Sequence, residues 1–172
     1  MCHDGNCSGV TTYTQGLLIG CMTQAYHIKT AFGFDLDSSV DYLAVACNAF
    51  RIAKTHLSRE GVAYDGDEQK LQGCDDNNWF RAILFWNLIK LYADADDNLK
   101  GEIGGYVSTN WNTMRDRLID GRWTADDWTV TSPMSVGCVK TQMSLFWLAI
   151  AKPSIQAFRR AHATFLRSPV PR

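Results

Sequence analysis

Apolar residues along this chain recur at helical spacing in separate blocks, with polar turns between them. Leu17, Leu18, Cys21, Met22 and Ala25 share one face of a first helix predicted over about 14–29. Ser38 or Ser39 supplies a hydroxyl cap for a second, whose inner face carries Val40, Leu43, Ala44, Cys47, Phe50 and Leu57. Gly61, Asp65-Gly66-Asp67 and Gly73 break the periodicity, so 60–73 reads as a loop or a short hairpin. A third helix over about 78–93 turns Phe80, Ile83, Leu84, Asn87, Leu88 and Leu91 inward. A fourth spans about 99–116, its start weakened by Gly101, Gly104 and Gly105. After an irregular aromatic stretch at 123–134, a fifth helix covers about 135–151, and Pro153 suits the first turn of a last one ending near Leu166. About six helices make an all-α chain. No fixed repeat with signature residues is present, which disfavours a solenoid; paired helices with long loops suit part of an (α/α) toroid.

Composition narrows the functional classes. A length of 172 residues, 46% hydrophobic and 20% charged, is that of one globular domain with a real core. A net charge of −1 and the lack of any Lys/Arg cluster exclude a nucleic-acid footprint. No run approaches the roughly 18 apolar residues of a membrane span. Residues 1–20 show no basic segment followed by an apolar core, so no secretion signal is expected in this chain. Of six cysteines, Cys21, Cys47 and Cys138 fall on apolar helical faces as small hydrophobes. Cys2 and Cys7 flank the turn-prone Asp4-Gly5-Asn6, and their spacing leaves a bridge or free thiols equally open. Asn6-Cys7-Ser8 has the form of a glycosylation sequon with an unfavourable central residue. There is no C-x-x-C pair, the four histidines are scattered, and no Gly-rich phosphate cradle occurs, so neither metal nor cofactor is expected.

Four segments, in order, carry a family resemblance. Thr12-Tyr13-Thr14-Gln15-Gly16-Leu17-Leu18-Ile19-Gly20 is similar to an aromatic-Thr-Tyr-Asn-Gln-Gly-(apolar)-Gly motif. Gly73-Cys74-Asp75-Asp76-Asn77-Asn78-Trp79-Phe80-Arg81-Ala82-Ile83-Leu84 is similar to a Cys/Asp segment leading into a Phe-(Lys/Arg)-Gly-Ile helix. Asn110-Trp111 with Met114, and Thr141-Gln142-Met143-Ser144, match two later helices. Together they resemble the endo-α-1,6-mannanases of glycoside hydrolase family 76. The resemblance implies an (α/α)6 barrel with about twice the helices seen here, so that residues 1–172 form a single partial barrel domain, with a Cys-containing N-terminal loop at 1–11 and a tail at 167–172. It also implies α-mannan or a manno-oligosaccharide as ligand, and an extracellular or cell-wall setting in which a Cys2–Cys7 bridge would persist.

Retaining glycoside hydrolysis needs an acid and a nucleophile about 5–5.5 Å apart. The resemblance places the catalytic aspartate pair upstream of the Tyr13 motif, and only eleven residues precede Thr12. The expectation is therefore no catalytic residue here and no activity of the isolated chain. Asp75-Asp76, Asp96-Asp97 and Asp126-Asp127 are the adjacent pairs on offer. Asp96-Asp97 reads as a capping turn, Asp126-Asp127 as a cap or a sugar-contacting loop, and Asp75-Asp76 as the best local candidate, without the family position. By motif position the substrate-binding candidates are Tyr13, Gln15, Asp76, Phe80 and Arg81. Two departures stand out: Thr14 replaces an Asn of longer reach, and Arg81 replaces the commoner Lys with a different donor geometry. Trp86 and Trp147 read as core, Trp123 and Trp128 as loop aromatics able to stack on sugar. His3, His27, His56 and His162 read as surface or capping residues. The alternative is a non-catalytic carbohydrate-binding or helical interaction module that self-associates through apolar helix faces left uncovered by half a barrel. A ligand-free helical scaffold is the plainest reading. Other (α/α)-barrel enzymes want basic residues for acidic sugars or inner-helix histidines, and neither arrangement is present.

Overall fold

A computed structural model describes residues 10–65, 77–116, 146 and 148–157, with the backbone alone at 77–79. Its elements are α1 (Thr12–Phe32), α2 (Tyr42–His56), the short strands β1 (Ser58–Arg59) and β2 (Val62–Ala63), α3 (Asn77–Asp94) and α4 (Asp97–Asp116). A further helix, α5, occupies 148–157.

Helix α1 starts two residues before the predicted position because Thr11 and Thr14 form a reciprocal capping box. The Thr14 amide donates to Thr11 Oγ1 at 3.2 Å and the Thr11 amide to Thr14 Oγ1 at 2.9 Å. It ends at Gly33, whose φ of 66° is open to glycine and whose N–H closes on Lys29 O. Ser38 and Ser39 do not cap α2. Asp37 Oδ1 takes both the amide and the hydroxyl of Ser39 in the preceding turn, and Asp41 does the capping, accepting from the Ala44 amide at 3.0 Å.

Helix α2 runs back along α1, and the expected hairpin follows it. Arg59 pairs with Val62 across Glu60 and Gly61, both at positive φ, the geometry of a two-residue type I′ turn. Asn110 of α4, fully buried, holds this turn in place. Its Oδ1 accepts from the Ala63 amide at 2.8 Å, and its Nδ2 donates to the carbonyls of Gly61 and Tyr106. The hairpin thereby returns the chain to the start of α1.

Helices α1 and α3 lie side by side pointing the same way. Tyr13 meets Phe80, Gly16 meets the Ile83–Leu84 peptide, Gly20 meets Asn87, and His27 meets Asp94, the last 67 residues away. That constant offset is the register of parallel neighbours in one layer, as successive hairpins of an (α/α) barrel provide. The small residues set the distance: a Cβ on Gly16 would stand 2.7 Å from Leu84 N, and one on Gly20 would stand against the Asn87 amide. Helices α2 and α4 meet through the Lys54–Glu102 ion pair and the Phe50–Tyr106 ring contact, and Phe85 of α3 also touches Tyr106. The core collects Ile19, Phe50, Leu84, Leu88, Leu91 and Ile103 between these layers, and Leu148, Ala151 and Ile155 of α5 join it.

Three expectations are corrected. Helix α1 buries Thr12, Gln15, Gly16, Ile19, Gly20, Thr23 and Ala25, with Met22 packed against the core, so Met22 and Ala25 turn inward as expected while Leu17, Leu18 and Cys21 face out. Backbone contact through the glycines decides that orientation, not the apolar stripe. For the same reason Trp86 is exposed rather than core, with Lys90 Nζ over its ring. Finally, Pro153 does not open a new helix but lies within α5, where Ser154 Oγ donates to Ile150 O at 2.9 Å. Cys47 behaves as the small hydrophobe foreseen, half-buried, with burial raising its thiol pKa. Among the described residues no helix is long and apolar enough to cross a membrane. Cys2, Cys7, Cys138, His3, His162, Trp123, Trp128 and Trp147 lie outside the described residues, as do Thr141 to Ser144.

Two glycines should respond in opposite ways to the same change. Gly16→Ala drives a methyl into the Leu84 backbone and should cost about 1–3 kcal/mol or more. Gly101→Ala meets nothing within 4 Å and should stabilise by about 0.5–1 kcal/mol. Urea unfolding followed by circular dichroism checks both; equal effects would refute the close α1–α3 contact.

Candidate functional site

The N-terminal ends of α1 and α3 sit together, and most of the motif residues gather there. Tyr13 and Phe80 are half-buried, with ring centroids 5.4 Å apart and planes tilted by 40°. The face-to-edge quadrupole preference favours such a tilted pair, and the pair leaves ring surface open to solvent. Next to it is a buried polar cluster. Asp65, delivered by the hairpin, accepts from the amide of Thr12 and, at 2.7 Å, from its hydroxyl. Its Oδ2 lies 4.0 Å from Nε of Arg81, and both side chains are almost wholly buried. The positive end of α1 and the guanidinium both lie against the Asp65 carboxylate there.

Arg81 is therefore an interior cation held beside a carboxylate. A lysine could supply the charge at that place but not the planar fork of donors. Gln15, on the first turn of α1, is also buried, and its Oε1 has no hydrogen-bond partner among the described residues. An unpaired buried acceptor costs about 1–3 kcal/mol, so a hydroxyl donor brought to it gains correspondingly. Thr14, standing where the family motif has Asn, is engaged in the capping box and is outward-facing. Asp76, the remaining candidate, lies outside the described residues, together with Asp75 and the Asp126-Asp127 pair.

Tyr106 closes the cluster from α4. Burial raises its phenol pKa above the ordinary 10.0, and the charge of Asp65 adds to the rise; Ser58, 3.0 Å from the phenol oxygen, and Arg81 oppose it. At the far end of the same helix pair His27 Nε2 meets Asp94 Oδ2 at 2.7 Å. This residue ties α1 to α3 rather than serving as a free surface or capping histidine. Asp96 caps α4 as foreseen, accepting from the Leu99 amide at 2.7 Å. Asn110, read as a family motif residue, has its amide spent on the hairpin. Asp65 and Thr12 are the site residues that sequence reasoning missed. Asp65 sits in an Asp-Gly-Asp run that reads locally as a turn, and only its tertiary meeting with Thr12 gives it a role.

Removing Asp65 should be expensive. Asp65→Ala leaves Arg81 buried without its carboxylate and the Thr12 donors unmet, for an expected loss of about 3–5 kcal/mol by thermal or urea unfolding. A loss under about 1 kcal/mol would contradict the buried pairing. Tyr106 sets an alkaline limit. Because its folded pKa is raised, its contribution is complete below the unfolded value of 10.0 and is lost as pH rises above it. Stability should fall there by up to about 1.4 kcal/mol per pH unit. Tyr106→Phe should flatten that slope while costing about 1 kcal/mol at neutral pH through the lost Ser58 bond; unfolding at pH 7 and pH 11 distinguishes the two.

No sequence profile of a known family matches the chain, and no curated protein does. Solved structures do. The GH76A α-1,6-mannanase from Salegentibacter sp. HEL1_6 superposes with a TM-score of 0.68 at 24% identity, over 90% of this chain and 44% of that one. An inactive variant of the same enzyme, two adjacent aspartates replaced by alanine and α-1,6-mannotetrose bound, gives a TM-score of 0.69 at 23% identity and the same coverage. The chain thus spans less than half the length of the structures it matches. Its fold is that of a partial (α/α) barrel of the α-1,6-mannanase type.

Proposed function

We propose that this chain is the sugar-binding part of an α-1,6-mannanase-like (α/α) barrel, taking α-mannan or a manno-oligosaccharide at the N-terminal ends of α1 and α3. The observation that carries the reading is the open Tyr13–Phe80 ring pair beside a buried amide oxygen without a partner, on a fold shared with an enzyme that holds α-1,6-mannotetrose. Pyranose rings present C–H faces that pack on aromatic surface, and a turn of the Gln15 side chain that uncovers its Oε1 lets a sugar hydroxyl supply the donor it lacks. Arg81 acts from below, holding Asp65 and with it the first turn of α1. Asp76, four residues before Phe80, belongs to the same proposal as a hydroxyl acceptor.

Binding without hydrolysis is the activity proposed for the chain by itself. The one described carboxylate at the site, Asp65, is buried and committed to Thr12 and Arg81, which suits neither an acid nor a nucleophile reaching a glycosidic oxygen. An extracellular or cell-wall setting goes with this ligand.

Calorimetric or NMR titration with α-1,6-mannotetrose tests it. Tyr13→Ala and Phe80→Ala should each weaken binding about tenfold, equivalent to about 1.4 kcal/mol, with the helical signal unchanged. No new reducing ends should form from α-1,6-mannan. Hydrolysis that disappears in Asp75→Asn or Asp76→Asn would overturn the non-catalytic assignment, and wild-type indifference to the tetrasaccharide would overturn the ligand.

A further inference from the structure

Far from the ring pair, the turn that joins α1 to α2 encloses a pocket of about 410 Å³ together with Tyr26, Lys29 and Thr30 of α1. The groups around it are of two kinds. One set is already satisfied. Lys29 Nζ lies 2.7 Å from Asp35 Oδ2, and the buried Tyr42 phenol accepts from the Asp37 amide and donates to Asp35 Oδ1 at 3.0 Å. Asp37 Oδ1 takes the amide and the hydroxyl of Ser39. These contacts fix the shape of the turn before any ligand arrives. The other set is uncommitted. The Tyr26 phenol and the exposed Ser38 hydroxyl make no hydrogen bond among the described residues. Asp41, also exposed, spends only Oδ1, on the Ala44 amide at 3.0 Å. Thr30 Oγ1 donates to Tyr26 O at 2.9 Å and keeps its capacity to accept.

We propose that this pocket is a second sugar-binding site, separate from the ring pair; the choice of a mannose-type sugar rests on the function proposed above. The lining selects by charge and by shape. Lys29 is neutralised by Asp35, and Asp37 and Asp41 leave the turn negative, so a phosphate or an acidic sugar is repelled. The three aspartates of the turn are each spent on a different neighbour and do not gather round one point for a cation. A neutral pyranose suits what remains. Its hydroxyls donate to Asp41 Oδ2 and exchange hydrogen bonds with Ser38 and the Tyr26 phenol, while its C–H face packs on the half-buried Tyr26 ring. The pocket lies within the ordinary size range of small-ligand sites, and its preformed turn leaves little to order on binding. Tyr26 is thirteen residues beyond Tyr13, about 20 Å along the helix at about 1.5 Å per residue. No single sugar unit touches both sites, whereas a polysaccharide with many equivalent units gains avidity from two.

Amide chemical shifts of the isotope-labelled full chain, followed through a titration with α-1,6-mannotetrose, test the proposal. Two groups of shifts are expected, one at the starts of α1 and α3 and one within 26–42, each saturating separately. Tyr26→Ala should weaken the second about tenfold and leave the first unchanged. Asp41→Asn keeps an oxygen to cap α2 while removing the carboxylate, and should weaken the second site about fivefold; it guards against a local folding defect in the first variant. Phe80→Ala should do the reverse, weakening only the first group. Shifts confined to the helix starts would overturn the second site and leave the ring-pair site standing. Shifts within 26–42 alone would do the opposite. A response at 26–42 indifferent to both Tyr26→Ala and Asp41→Asn would overturn the pocket as its source, and no response in either region would overturn both sites.

Discussion

Backbone lies against backbone where Gly16 of α1 meets the peptide between Ile83 and Leu84, with no room for a methyl group. Once that contact is made, the rotation of α1 about its own axis is fixed. Gly20 falls against the Asn87 side chain, Tyr13 against the Phe80 ring and His27 against Asp94. Each is a consequence of two parallel helices held in one register at short distance. The short distance brings many dispersion contacts that individually are small, of order 0.1–0.2 kcal/mol, and collectively large. It also means that the glycine face of α1 is the inner one, shared with Ile19, and that Leu17, Leu18 and Ile28 are turned outward.

That inversion explains what could and could not be read in the sequence. The elements were legible: α2, α3 and α4 begin and end within a few residues of where periodicity and turn chemistry put them, and the hairpin turns at Gly61, one of the residues that break the periodicity. The faces of α1 were not. Periodicity assigns the inside to whichever stripe is most hydrophobic, here Leu17, Leu18, Cys21, Met22 and Ala25, of which Met22 and Ala25 do turn inward and the other three do not. A glycine-mediated contact leaves a different trace, two small residues four apart, which is also the trace of nothing in particular. Trp86 was misassigned by the same reasoning, as an aromatic on an apolar helix that faces a groove instead of the core. Pro153 misled in another way. A proline reads as a boundary, yet α5 continues through it.

The candidate site divides along a similar line. Tyr13, Gln15, Phe80 and Arg81 were legible as one set because they stand at matching motif positions, and the structure draws them to the paired helix ends. What was illegible is the depth at which each acts. Arg81 and Gln15 are interior, and only the two rings keep surface open to solvent. Asp65 carries no local signal at all. Its role depends on α2 running back along α1, on a two-residue turn, and on Asn110 holding that turn from a helix almost 50 residues further on. Long-range closure of this kind is settled by packing, and no window of sequence contains it.

The polar cluster and the ring pair are thus mechanically one object. Asp65 satisfies the first amide of α1 and neutralises Arg81, which roots the start of α3; these two helix starts are what hold Tyr13 and Phe80 at 5.4 Å. A ligand resting on the rings would meet a surface pre-set by buried charges it never touches, so little ordering would remain to be done on binding. The arrangement also assigns different jobs to the two ends of the α1–α3 layer. One end is built of interior ionic contacts and presents aromatic surface; the other is tied by the partly exposed His27–Asp94 pair, whose contribution in water is small. The buried ionic contacts are concentrated at the N-terminal end, where the sugar is proposed to bind.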